Sequence, residues 1–235
     1  MFSLEKRGKV YILTFVGDDD EYRFNPATFD AIFDALRQVE QSPDAAALVT
    51  TNSGKYFSNG LDMRWIAENP DELFDIAVEK LEKMFAAFMR LTIPTVAAIR
   101  GDALASAFML VLAHDYRFMT QVCCDLYMYE LDHGLYIPDS ILAMSRSKLQ
   151  PAALRVVVLG ASKLNAQMAL ETGILDGVLE DSERTLEAAV KEAEKLAARG
   201  WSREIYGRLR LAAFPGVVEA LDTHVPYRLL ASFKV

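Results

Sequence analysis

Two runs in this chain, Ala45 to Thr51 and Thr95 to Ile99, are apolar at every position except their threonines. Neither alternates as a strand with one wet face would, so each must be covered on both sides. Helical patterns separate them. Asn25 as a cap and Pro26 in the first turn announce a helix whose apolar stripe is Phe29, Ile32, Phe33, Leu36 and Val39. A second stripe, from about Asp71 to Met89, carries Leu73, Ile76, Ala77, Leu81, Met84, Phe85 and Phe88. Val10 to Phe15 and Tyr116 to Met119 add two more strands, and the segment between Gly101 and His114 reads as an apolar helix. That order predicts an α/β fold of units joined by right-handed crossovers.

Beyond Pro151 the pattern is mostly helical. Helices are expected over Ala152 to Leu159, from Asn165 to Gly173, over Glu183 to Arg199 and over Arg203 to Leu211, with a short strand at Ile174 to Leu179. The 235 residues therefore divide into an α/β core, 1–179, and a helical C-terminal region, 180–235. Acidic residues outnumber Lys and Arg by 33 to 25, a net charge of −8, which argues against nucleic acid as the partner. The most apolar stretch, Ala103 to Ala113, is about half the ~20 residues a bilayer span needs, so no membrane anchor is expected. Met1 to Arg7 does not read as a secretory signal. Cys123 and Cys124 are the only cysteines; being adjacent, they exclude a disulfide framework and read as core or loop.

Three segments look wrong for packing alone. Phe57-Ser58-Asn59-Gly60-Leu61-Asp62 is a small-residue turn after a buried strand, able to offer a backbone N–H at the carboxyl end of a sheet. Gly101 to Ala107 leads small residues into the apolar helix, whose start supplies unpaired N–H groups. Tyr129 to Asp139 sets carboxylates and His133 among apolar residues. Taken singly, each has an ordinary explanation: a plain loop, close helix packing, an ion-paired glutamate. Spacing alone supports an α/β protein with a site at its strand ends.

Together and in this order, the segments resemble the crotonase (enoyl-CoA hydratase/isomerase) superfamily, from about Leu4 to Leu179. Within it the likeness is to the plant-type peroxisomal Δ3,Δ2-enoyl-CoA isomerases, through Leu4-Glu5-Lys6-Arg7-Gly8, Phe57-Ser58-Asn59-Gly60, His114-Asp115-Tyr116 and Gly134-Leu135-Tyr136-Ile137-Pro138-Asp139. The resemblance implies a ClpP-like spiral of ββα units with a helical C-terminal trimerisation region. It also implies a shift of the double bond of a 3-enoyl-CoA to the trans-2 position in fatty-acid β-oxidation. The backbone N–H groups of Leu61 and Ser106 would form the oxyanion hole, and Glu130 would be the catalytic base. The second glutamate of the family's hydratases falls on Met109 here. One carboxylate suits moving a proton from C2 to C4 better than adding water, and an apolar surround would raise its pKa.

The same resemblance puts substrate or CoA contacts at Arg23, Phe24, Gly60, Asp62, Arg64, Phe108 and Pro138. CoA is then part of the substrate, and neither a separate cofactor nor a metal is expected. Two departures stand out. Leu104 to Phe108 is bulkier than the family's Gly-rich turn, so that Phe108 narrows the acyl tunnel or distorts the turn. Asp102 reads either as a helix cap or as a charge near the thioester. Asp139 reads as a turn residue or a second acid, His133 as a structural hydrogen-bonder, and His114 with Asp115 as a strand entry. Family members form trimers and hexamers, for which Trp201 to Leu211 and Tyr227-Arg228-Leu229-Leu230 are the candidate contacts. Peroxisomal residence follows by resemblance, although Phe233-Lys234-Val235 is not the Ser-Lys-Leu address and a cytoplasmic location is the alternative. The competing readings are another acyl-CoA enzyme of this fold (hydratase, dienoyl isomerase or thioesterase) and a non-catalytic acyl-CoA binder.

Overall fold

The structure is a computed structural model that describes residues 2–16, 21–122 and 124–227. Its strands are β1 (Phe2–Arg7), β2 (Val10–Phe15), β3 (Ala47–Asn52), β4 (Tyr56–Ser58), β5 (Thr95–Ile99), β6 (Asp102–Leu104), β7 (Tyr116–Thr120), β8 (Asp125–Tyr127), β9 (Leu164–Asn165) and β10 (Gly177–Leu179). Its helices begin with α1 (Pro26–Gln41), α2 (Met63–Ile66), α3 (Pro70–Arg90), α4 (Ser106–Ala113) and α5 (Asp139–Lys148). After these come α6 (Pro151–Leu154), continued by a π-helical turn, then α7 (Ala166–Glu171), α8 (Ser182–Ala197), α9 (Arg203–Ala213) and α10 (Val217–Asp222).

The large sheet runs β1-β2-β3-β5-β7-β10, parallel from β2 onward, and a smaller sheet runs β4-β6-β8-β9. Three ββα units repeat: β3-β4-α3, β5-β6-α4 and β7-β8-α5. In each, the first strand joins the large sheet and the second joins the small one, which is the expected spiral. The runs at 47–52 and 95–99, buried at every position, are its central strands, β3 and β5. Ala189, Ala193 and Leu196 of α8 seal one face against Val49, Val96 and Ala98. The main core, with Leu48, Phe85, Phe88 and Leu112, seals the other. Helix α8 therefore belongs to the sheet's own packing, and residue 179 marks no break in the core.

Helix α1 starts where Asn25 and Pro26 place it: the Asn25 side chain accepts from the Thr28 N–H while the Thr28 hydroxyl accepts from the Asn25 N–H. Differences from the sequence reading are local. Leu4 to Arg7 belongs to a strand, β1, and α10 adds a helix the pattern did not announce. Helix α7 ends at Glu171, and the strand expected over 174–179 is confined to Gly177–Leu179. Gly101 leads into β6 before the apolar helix starts. A Cβ there would lie 2.2 Å from the Lys55 carbonyl oxygen, so only glycine allows this close crossing of two chains. Asp102, expected as a cap or a charge near the thioester, is neither. It sits in β6, and its carboxylate accepts from the Asp125 N–H at 2.8 Å, stitching β6 to β8.

His114 is a core residue. Its two ring nitrogens meet the Leu110 carbonyl and the Thr50 hydroxyl at 2.8 Å, and burial pushes its pKa down to about 3. Cys124 is buried; Cys123, residues 17–20 and residues 228–230 of the expected contact tail lie outside the described residues. No helix among the described residues is long and apolar enough to cross a membrane.

Candidate active site

Strands β4, β6 and β8 lie side by side and parallel, so their carboxyl ends open in the same direction. Each ends at one of the three segments singled out from the sequence. After β4 the chain turns through Asn59 and Gly60 to Leu61. After β6 it turns through Ala105 into α4. After β8 it reaches Glu130 through Met128 and Tyr129.

The aim of the Leu61 amide follows from a single bridge. Phe24 donates its N–H to the Gly60 carbonyl at 2.8 Å and accepts from the Asp62 N–H at 2.9 Å, a parallel pairing centred on Leu61. In such a pairing the central residue's own N–H and C=O point away from the partner strand. The Leu61 N–H finds no acceptor among the described residues. Gly60, at φ +74°, makes the turn; a Cβ there would lie 3.2 Å from the Leu104 carbonyl oxygen and 3.3 Å from the Ser106 hydroxyl. The two turns are in contact.

The second amide comes from a helix start left without a cap. Ala105 occupies the cap position at φ +51°, ψ −120°, and its methyl cannot accept a hydrogen bond. Its carbonyl takes the Phe108 N–H at 3.0 Å, while the Ser106 N–H has no acceptor among the described residues. A positive φ at a non-glycine residue costs of order 1–3 kcal/mol and persists where the surroundings enforce it. Here the Ala105 N–H donates to the Tyr127 carbonyl at 2.7 Å, tying the strained turn to the end of β8.

Glu130 completes the group. Its backbone carbonyl accepts from His133 and Leu135 at 3.1 and 2.8 Å, fixing the loop, but its buried Oε2 has no hydrogen-bond partner. Burial pushes the carboxyl pKa up to about 7, against smaller opposing pulls from its own N–H and from His133. Leu61, Ala105, Ser106, Met109 and Glu130 line one cavity of about 330 Å³, whose remaining wall is mostly apolar, with Val78, Leu81, Met128, Ile137, Pro138 and Ile141 beside His133 and three tyrosines. Met109, where the family's hydratases carry a glutamate, accepts from the Ser145 hydroxyl at 3.3 Å.

Other expected contacts fall elsewhere. The Phe24 ring is fully buried against Phe29, so only its backbone serves the site. Phe108 is fully buried in the core and lines no part of the cavity, so it does not narrow a tunnel. The Asp62 carboxylate caps α2, accepting from Arg64 and Trp65. Arg64 is exposed on α2 outside the cavity, and Arg23 is ion-paired with Glu21. Asp139 starts α5 and accepts from the Tyr136 hydroxyl at 2.8 Å, outside the cavity lining. His133 lines the cavity, with Nδ1 3.0 Å from the Tyr129 carbonyl.

Sequence reasoning missed Phe74 as a cavity wall, placed Tyr129 only at the start of the third segment, and named Tyr227 only as a contact between subunits. It also passed over Glu82 of α3, whose only sequence signal is a carboxylate on the apolar side of its helix.

A family model described as enoyl-CoA hydratase/isomerase matches residues 6–206. The chain is 39% identical to enoyl-CoA delta isomerase 2, peroxisomal, of Arabidopsis thaliana, over 96% of this chain and 98% of that protein. It is 37% identical to enoyl-CoA delta isomerase 3 of the same plant, over 94% and 95% of the two chains. A crystal structure of a probable enoyl-CoA hydratase from Mycobacterium tuberculosis shares the fold, with a TM-score of 0.87 over 99% of this chain and 95% of that one at 20% identity.

Proposed function

Since this chain belongs to the enoyl-CoA hydratase/isomerase family, we infer that it is an enoyl-CoA isomerase, moving the double bond of a 3-enoyl-CoA into conjugation with the thioester. The observation that carries this is the meeting, in a mostly apolar cavity, of two amides without acceptors among the described residues and a carboxylate whose buried Oε2 has no partner there. Glu130, ionised, takes a proton from C2. The electron pair spreads into the thioester, and its oxygen, now negative, receives the N–H groups of Leu61 and Ser106. Glu130, now protonated, returns the proton to C4, and the double bond settles between C2 and C3. Nothing is gained or lost overall, and the reaction requires no second acid or activated water. The Met109 side chain, which cannot activate water, favours this over hydration. Preorganised amides act where charge appears in the transition state, and each such donor is typically worth about 2.7–4 kcal/mol.

The test is an assay with trans-3-hexenoyl-CoA, following the conjugated 2-enoyl thioester by absorbance, with 2-hexenoyl-CoA as the hydration control. Isomerisation without hydration is expected; hydration alone would overturn the reading. Its pH dependence carries a sign. Glu130 must be ionised to act and its pKa lies at about 7. Hence kcat/KM should rise about tenfold per pH unit below 7 and level off above it. A profile flat from pH 5 to 8 would remove Glu130 as the base.

Assembly into trimers or hexamers through α9 is part of the proposal. Trp201, Ile205 and Leu209 are exposed at 43, 59 and 65%, an apolar face that suits a second copy of this chain. In the cleft beside them the buried Arg117 guanidinium has Nε and Nη1 unpartnered. Leu209→Glu should convert a trimeric or hexameric mass in sedimentation to that of a monomer; a monomeric wild type would refute the assembly. Peroxisomal residence belongs to the same reading, supported by relatives named peroxisomal, and cofractionation with a peroxisomal marker checks it.

A further inference from the structure

The loop that carries Glu130 closes on itself. The Tyr129 carbonyl accepts from His133 at 3.2 Å, the Glu130 carbonyl from His133 and Leu135 at 3.1 and 2.8 Å, and the Leu131 carbonyl from Gly134 at 3.1 Å. The next amide, that of Tyr136, turns outward and donates to the phenol oxygen of Tyr227 at 2.8 Å. With its buried Oε2 unpartnered, the Glu130 carboxylate has no bond at that oxygen to fix it. It inherits its position from this loop.

Tyr227 is itself held firmly. Helix α10, just before it, packs on both α3 and α5. Three residues before Tyr227, His224 Nδ1 lies 2.7 Å from Oε2 of Glu82, and the other oxygen of Glu82 accepts from the Ser140 hydroxyl at 2.5 Å. Glu82 is only 1% exposed, and a carboxylate that deep must be hydrogen-bonded. The Tyr227 N–H donates to Asp75 at 2.5 Å, and its ring packs on Phe74 with centroids 4.5 Å apart. The oxygen offered to Tyr136 is therefore tied to α3 directly and to α5 through the anchor. Among the described residues, the titratable groups lining the cavity with Glu130 are Tyr129, His133, Tyr136 and Tyr227. Burial pushes the Tyr227 pKa up; the Tyr136 N–H pulls it back, and the Glu130 charge adds to the rise. Phenol and carboxylate thus share one electrostatic neighbourhood.

We propose that Tyr227 is a positioning residue for the base: its phenol oxygen, seated by the His224–Glu82–Ser140 anchor, holds the Tyr136 N–H and keeps the 130–136 loop closed around Glu130. A wall of the cavity would need only the ring, whereas this role needs the oxygen. The inference deepens the isomerase reading and rests on it for the effect on turnover, but not for the state of the carboxylate.

Tyr227→Phe keeps the ring on Phe74 and deletes only the acceptor. Its kcat for trans-3-hexenoyl-CoA should fall about 10–10²-fold, the upper figure being the cost of misplacing a reacting group by about 1 Å. KM should stay within about twofold, because the amides that receive the thioester are untouched. A loosened loop admits water to Glu130, so the inflection at about pH 7 should move down toward 4.5, by about one pH unit. Infrared titration of the carboxyl band that is absent from Glu130→Gln reads the same displacement without turnover. His224→Leu, which cuts the anchor and leaves the phenol in place, should reproduce both effects. The double variant should be no worse than the more impaired single one, since the two changes break one linkage. An unmoved carboxyl titration in Tyr227→Phe, or losses that multiply in the double variant, would overturn the proposal. The infrared displacement together with a wild type that turns over no 3-enoyl-CoA would leave the positioning standing and overturn the isomerase reading alone.

Discussion

Glu130→Gln should reduce kcat for trans-3-hexenoyl-CoA to the lower edge of detection, at or beyond the upper end of the ~10²–10⁴-fold usual for a single acid–base group. The loss is large because one carboxylate handles both proton removal and proton return. KM should change little, since the glutamine fills the same space and the thioester oxygen still finds the Leu61 and Ser106 amides. Stability should move the other way. A carboxyl whose pKa is higher folded than unfolded opposes folding increasingly as pH rises from the ordinary value of 4.5 past about 7. At pH 8 the variant should therefore melt no lower than wild type, and below pH 4.5 the two should converge. Activity retained within tenfold, or a clear loss of stability at pH 8, would make Glu130 a structural residue.

Gly60→Val should be the second most damaging change to catalysis, with kcat falling at least about 10²–10³-fold, the usual cost of one lost oxyanion donor. Valine at φ +74° is sterically strained, and its Cβ would press on the Leu104 carbonyl and the Ser106 hydroxyl. Both amides would lose their aim together. Gly8→Val separates this from simple destabilisation. Gly8 also sits at positive φ, +61°, yet a Cβ there meets nothing within 4 Å. Both variants should lose stability of order 1–3 kcal/mol in urea denaturation, but only Gly60→Val should lose turnover. Equal kinetic losses would refute the two-turn oxyanion site.

Much of this was legible in the residues. The helix from Pro26 and the strand at Thr95–Ile99 declared themselves by cap and pattern. The three site segments were visible as small or charged residues where packing wanted neither. The second strands of the repeats were not, because β4, β6 and β8 have only three residues each, too short for a period-two pattern to register. Asp102 was misread for that reason: without β6 and β8, its partner Asp125 had no place in the argument. Phe24 and Phe108 were placed at the ligand by resemblance, but nothing in their local sequence distinguishes a ring facing the cavity from one facing the core. The His224–Glu82 contact joins residues 142 positions apart, and no local pattern carries such a pairing.

The three parallel strand ends also divide the labour in a way that bears on how such enzymes diversify. In the proposed mechanism the amide pair that receives the thioester oxygen follows β4 and β6, while the base follows β8. A change in the segment after β8 can relocate or remove the base without touching the amides that hold the thioester. The two tasks are separable by inheritance as well as by chemistry, so a scaffold of this kind can acquire a different reaction one strand end at a time.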